Sequence, residues 1–130
     1  MTLTEHALTG SVLTTGADHR MLVGLPWYRS MPYSSIVRLS LTVDGVPAED
    51  LQLEASDEWA DLPSLATMTD RSWFLQDRRP LRWRPAGPLG ARVEIVLRVG
   101  LHLPNLVGPT GDGVQVLQEV RGEVPVRAAA

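Results

Sequence analysis

The sequence predicts an all-β protein, an antiparallel β-sandwich or jelly-roll-like barrel with one short helical turn. Three observations carry this. Apolar residues alternate at a period of two in several stretches. No stretch holds a sustained helical stripe. Ten prolines and eleven glycines punctuate the chain, as frequent turns require.

In chain order, Leu8 to Leu13 and Arg20 to Leu25 are expected to pair as a hairpin around Thr15, Gly16, Ala17 and Asp18. Val37, Leu39, Leu41 and Val43 alternate with Arg38, Ser40 and Thr42, the pattern of a half-buried strand. Asp44-Gly45 follows as a hairpin turn, and Leu51 and Leu53 mark the expected return strand. Asp61 to Met68 is the one helix-like piece, with Asp61 placed to cap a turn or two. From Arg92 to about Leu103, Val93, Ile95, Leu97, Val99 and Leu101 share one face of a long strand. A glycine-rich loop over 104–113 leads into a third alternating stretch, Val114 to Val120. Residues 1–130 read as one domain, with flexible ends at about 1–7 and 124–130.

Composition removes whole classes of chemistry. The hydrophobic fraction of 44% is that of a globular chain. With no cysteine there is no disulfide framework, no thiolate zinc site and no thiol nucleophile. Every basic residue is arginine, so a lysine Schiff base is impossible. The N-terminus has neither a basic start nor an apolar run, so it does not read as a secretory signal. No stretch approaches the roughly 20 apolar residues of a membrane span. A cytoplasmic location without membrane contact is expected. The net charge of −3 argues against a nucleic-acid partner.

Candidate chemistry is sparse. His6, His19 and His102 have no second ligand at strand or helix spacing, so no metal site is assigned to this chain. His19 sits beside Asp18 in an expected turn, where neighbouring side chains point apart. There is no Gly-x-Ser-x-Gly elbow. Glu54, Asp57, Glu58 and Asp61 read as a solvated acidic loop, and Asp77 as the ion-pair partner of a neighbouring arginine. The loop Gly108-Pro109-Thr110-Gly111-Asp112-Gly113 lacks the lysine and the following helix of a phosphate loop.

The informative feature is aromatic. Every Trp, Tyr and Phe lies between Trp27 and Trp83, and all but Trp59 fall in two groups that also carry arginine. Trp27, Tyr28, Arg29 and Tyr33 form one. Trp73, Phe74, Asp77, Arg78, Arg79 and Trp83 form the other, with Arg82 and Arg84 beside them. Large amphipathic rings with guanidinium groups are the mix enriched at protein interfaces. These ten named residues are the expected partner interface or cleft rim. Trp59, in the acidic loop, is the ring expected to be least buried.

Two segments go further. Trp27-Tyr28-Arg29-Ser30-Met31-Pro32-Tyr33-Ser34-Ser35-Ile36 runs into a strand ending in Asp44-Gly45, and Met68-Thr69-Asp70-Arg71-Ser72-Trp73-Phe74-Leu75-Gln76-Asp77 follows. Together they resemble the β (small) subunit of bacterial C-glycoside deglycosidases, over roughly residues 20–103. The resemblance implies a heteromeric lyase that splits the carbon–carbon bond between a 3-oxo sugar and an aromatic aglycone. It implies a large α subunit with a sugar-isomerase-like barrel holding a divalent metal, commonly manganese, and a higher αβ hetero-oligomer. This chain is then a non-catalytic accessory subunit, inactive alone, that docks on the large subunit and shapes its cleft. The alternative from another class is a stand-alone carbohydrate-binding β-sandwich using Trp27, Tyr28 and Trp59 as a sugar platform. A third is an independent hydrolase or isomerase using Asp77 and His102.

Overall fold

The computed structural model describes residues 7–8, 10–15, 17–27, 29–103 and 114–128. Their strands are β1 (Val12–Thr14), β2 (His19–Gly24), β3 (Met31–Pro32), β4 (Ile36–Val43), β5 (Val46–Pro47), β6 (Glu49–Ala55), β7 (Glu58–Ala60), β8 (Ser72–Trp73), β9 (Arg78–Arg84), β10 (Arg92–Leu103) and β11 (Val114–Ala128). One helical turn, α1 (Leu62–Leu65), and a 3-10 turn at Tyr33–Ser35 complete the set. The all-β expectation holds.

Nine strands form one sheet in the order β5-β4-β10-β11-β1-β2-β9-β6-β7, and β3 pairs with β8 separately. The nine-stranded order has two ends, so this sheet does not close into a barrel. It folds over on itself instead. A single apolar cluster takes Leu41, Ile95, Leu97 and Val99 from the β4-β10 half and Met21, Val23, Leu53, Leu81 and Trp83 from the β2-β9-β6 half. Both ends of the order are short: β5 has two residues and β7 three. β5 covers only Thr42 and Val43 of β4, so the outer side of Ile36 to Ser40 has no strand partner among the described residues.

β11 joins the halves. Val114 to Pro125 run antiparallel to β10, and Val126, Arg127 and Ala128 then run parallel to Val12, Leu13 and Thr14 of β1. The sheet is therefore mixed, where a purely antiparallel arrangement was expected. The expected frayed end at 124–130 is corrected by the same strand: Val124 is buried in the core, and only 129–130 lie outside the described residues. At the other end Ala7, placed in the flexible segment, is fully buried, while 1–6 lie outside the described residues.

Local chemistry explains the turns. Asp44 (φ 50) and Gly45 (φ 80) form a two-residue turn between β4 and β5, and Ser56 (φ 51) and Asp57 (φ 70) do the same between β6 and β7. Left-handed residues at both positions match the twist of the flanking strands. The Asp44 carboxylate also accepts the Glu94 N–H at 2.8 Å, tying the turn to β10. The expected return strand at Leu51 and Leu53 forms but does not return: β6 pairs with β9 and β7 on the other half of the sheet. Asp50 (φ 54) lies at an irregularity in the β6–β9 register, where the chain turns across. Asp61 caps α1 as expected, its carboxylate accepting the Ser64 N–H at 3.0 Å. Another irregularity sits at Gly100, where a Cβ would lie 2.8 Å from the Arg38 Cβ, so only glycine fits. Among the described residues no helix is long and apolar enough to cross a membrane.

Candidate functional site

The two aromatic groups meet at one place. β2 ends at Gly24 opposite Arg78, the first residue of β9, which brings the chain after Gly24 beside the chain before Arg78. Met31 pairs with Trp73 and Pro32 with Ser72. The Tyr33 N–H donates to the Arg71 carbonyl at 3.0 Å, and the Leu75 N–H to Ser30 Oγ at 2.7 Å. Residues 30–33 and 71–75 are thus stitched together.

Within this rim the rings divide by face. Trp73 is 1% exposed, Tyr33 0% and Trp83 3%, which corrects the expectation that these three offer their rings to a partner. Their rings fill the core. Tyr33 and Trp73 lie with ring centroids 6.3 Å apart and planes 24° apart, and Trp73 Nε1 donates to the Asp77 carbonyl at 3.0 Å. Phe74, the next residue, is turned outward and 59% exposed. A tight turn follows, closed by the Asp77 N–H to the Phe74 carbonyl at 2.9 Å. Trp27 is half-buried against the core, Arg29 and Arg78 are exposed, and Tyr28 lies outside the described residues. Asp77 pairs with Arg79 at 3.3 Å, as its neighbours suggested.

Behind the rim the Tyr33 hydroxyl and Arg79 Nε are buried, and Arg79 approaches the phenol without closing a hydrogen bond of ordinary geometry. Burial pushes the Tyr33 hydroxyl above its usual pKa; the Arg79 charge opposes this and Asp77 adds to it. The phenol therefore stays neutral near pH 7.

The arginine patch expected around Trp83 separates along β9. Arg82 Nε donates to Gln52 at 2.8 Å, and its guanidinium lies 4.2 Å from the centroid of the Trp59 ring. Arg84 is paired with Glu49 and Asp50. Of the four, Arg78 and Arg82 make no ion pair among the described residues. The guanidinium over Trp59 also removes the open ring face that a sugar platform needs. Trp59 is half-buried, and Phe74 is the more exposed ring.

Among the described residues no three His, Asp or Glu side chains are grouped to hold a metal. No hydrogen bond or ion pair links Asp77 to His102. His6 and the loop over 104–113 lie outside the described residues. His19 was misplaced by the sequence: it opens β2, and its ring is buried beside Trp83. The period-two series His19, Met21, Val23 was the signal that places it inside.

No family model matches the chain. Three relatives do. One from Microbacterium trichothecenolyticum, a C-glycoside deglycosidase beta subunit, is 32% identical over 100 residues, 75% of this chain and 76% of the relative. A 3'-dehydrocarminate deglycosidase beta subunit from a Microbacterium species is 40% identical over 88 residues, 65% of each chain. A C-glycoside deglycosidase beta subunit from Arthrobacter globiformis is 29% identical over 113 residues, 85% of each. Similarity at this level across three quarters of both proteins, on a β-rich fold that brings the two characteristic segments together, means that the chain belongs to the C-glycoside deglycosidase beta subunit family.

Proposed function

We propose that this chain is the accessory small subunit of a cytoplasmic C-glycoside deglycosidase, inactive alone, and that the rim of Trp27, Arg29, Phe74 and Arg78 docks on the large subunit at the edge of its cleft. The observation that carries this is the exposed Phe74 flanked by exposed arginines, on a chain whose relatives are named as beta subunits. An exposed ring with guanidinium neighbours supplies the buried anchors on which interface affinity concentrates.

The reaction proposed for the complex is an elimination. A ketone at sugar C3 acidifies the C2 proton. A base removes that proton, the bond from C1 to the aryl carbon breaks, and the released aryl carbon takes up a proton. The relative acting on a 3'-dehydro compound supports a substrate oxidised beforehand at that position. A divalent metal, manganese by family resemblance, would polarise the ketone from the large subunit. The described residues of this chain do not fit such an ion, so no step is assigned to it here.

The test is co-expression with a sugar-isomerase-like barrel subunit. A stoichiometric complex that turns over a 3-oxo C-glycoside, with neither subunit active alone, is the expected result. Turnover by this chain purified without a partner overturns the reading.

A further inference from the structure

The longest open strand edge among the described residues belongs to β11. From Val114 to Val124 the strand pairs with β10 on one side only, and β1 meets it at Val126 and beyond. One bond shows which backbone groups face outward. The Val126 N–H donates to the Ala91 carbonyl at 2.8 Å, and the β10–β11 register runs without a shift. Even-numbered residues of β11 therefore turn their N–H and C=O groups to β10, while Gln115, Leu117, Glu119, Arg121 and Glu123 turn theirs away. Pro125, which has no N–H, falls in the outward set. Sheet edges are commonly protected by proline, a bulge or brevity, and Val114 to Val124 has none of these. It is a template for a further strand.

The sequence of β11 matches itself. With a second copy antiparallel beside it and the two-fold axis at Val120, Glu119 opposes Arg121 of the second copy, and Arg121 opposes Glu119. These pairs lie on the exposed face. On the inner face Val120 opposes Val120, Val116 opposes Val124, and Gln118 meets Gly122. Opposite charges and β-branched residues set face to face are the pairs that stabilise neighbouring strands. Val116 to Val124 all lie on the open stretch, and their outward groups would exchange about eight backbone hydrogen bonds. Other axes do worse. An axis at Glu119 sets Glu119 on itself, and one at Arg121 sets Arg121 on itself and Glu119 on Glu123. An axis at Gly122 matches Arg121 to Glu123, but opposes only Val120 to Val124 before β1 intervenes. Half-steps between these set inner residues against outer ones. In the lone chain Arg121 lies 3.4 Å from Glu119 and 3.6 Å from Glu94. Exposed ion pairs are weak, so turning that guanidinium to a second copy costs little.

We infer that the open edge of β11 pairs with the same edge of a second copy of this chain, in the register centred on Val120. The two β5-β4-β10-β11 layers then become one continuous sheet. The rim residues lie outside β10 and β11, so this surface is separate from the docking rim, and the inference stands whether or not the chain is an accessory subunit.

Sedimentation of the full chain at high micromolar concentration should show a dimer. Glu119→Arg and Arg121→Glu should each weaken dimerisation about tenfold, because both pairs beside the axis become like-charged. Mixing the two variants should recover dimers that hold one copy of each, since the mixture restores opposite charges at both places. Charges within each copy do not change on mixing, so the recovery reads the contact between copies alone. Leu117→Pro deletes one outward N–H and leaves the β10 ladder whole; it should give a monomer with an unchanged far-UV circular dichroism spectrum. A monomeric wild-type chain, a dimer indifferent to Leu117→Pro, charge variants that stay monomeric when mixed, or a strand of the large subunit lying along β11 in the assembled enzyme would each overturn the inference.

Discussion

Trp73 and Phe74 are adjacent, yet they face opposite ways, and this gives a sharp pair of perturbations. Burying a tryptophan removes about 150–250 Å² from water, worth about 4–6 kcal/mol at ~25 cal/mol per Å². Measured large-to-small core changes fall near 3–5 kcal/mol. Trp73→Ala also removes the Nε1 bond to the Asp77 carbonyl, about 1 kcal/mol. A loss of about 4–5 kcal/mol is expected, a large part of the ~5–15 kcal/mol of a whole domain. Phe74→Ala removes a ring that is 59% exposed, so stability should move by no more than about 0.5 kcal/mol. Association with the large subunit should instead weaken by about 2 kcal/mol, roughly 30-fold. Urea melts of the isolated chain read the first quantity and calorimetric titration of the partner reads the second. If Phe74→Ala lowers the urea midpoint as far as Trp73→Ala, or leaves association untouched, the division of the rim into a core side and a contact side is wrong.

Gly100→Ala should destabilise by about 1–3 kcal/mol in thermal melts, because the added carbon meets the Arg38 Cβ; Arg38→Ala keeps that Cβ and should give no relief. The Arg20 guanidinium, hydrogen-bonded at 2.8 Å, holds the Asp18 carboxyl below its ordinary pKa, against a smaller opposing effect of burial. A depressed folded pKa stabilises above the unfolded value and is lost as pH falls through the folded one. Stability should therefore drop below about pH 4, and the drop should be smaller in Asp18→Asn, as denaturant melts across that range would show. Chelation of the assembled enzyme should abolish turnover and leave the melting temperature of this chain alone unchanged; a chain destabilised by chelator would move the metal into it.

The strands were legible where one face is buried and the other wet. Val93 to Leu101 mark β10 because each inward residue is apolar, while the residues between them, Glu94, Val96, Arg98 and Gly100, include two charges and a glycine. Asp61 announced α1 through its cap. Period two names a face, however, and never a partner. Leu51 and Leu53 alternate equally well beside β4 or beside β9, so the crossing of β6 could not be read locally. Val124 and Val126 continue the alternation of β11 beyond Val120, but Gly122 and Pro125 interrupt the apolar and β-forming pattern there. The rim was legible as a set of residues because Trp27 to Tyr33 and Trp73 to Arg79 combine rings with guanidiniums. Which ring of Trp73-Phe74 turns inward was not, since either choice satisfies the local pattern. Tyr33 settles it from a distance by stacking on Trp73.

The uneven pairing within the large sheet bears on how this molecule can be recognised. The outer side of β4 from Ile36 to Ser40, and the side of β11 away from β10 from Val114 to Val124, have no strand partner among the described residues, so a visiting chain finds peptide groups as well as side chains to engage. Contacts made through the backbone tolerate sequence drift, whereas contacts made through rings and guanidiniums do not. Fidelity between one small subunit and its proper large subunit then resides in a handful of side chains, and exchanging those few between two related enzymes should be enough to exchange their mates.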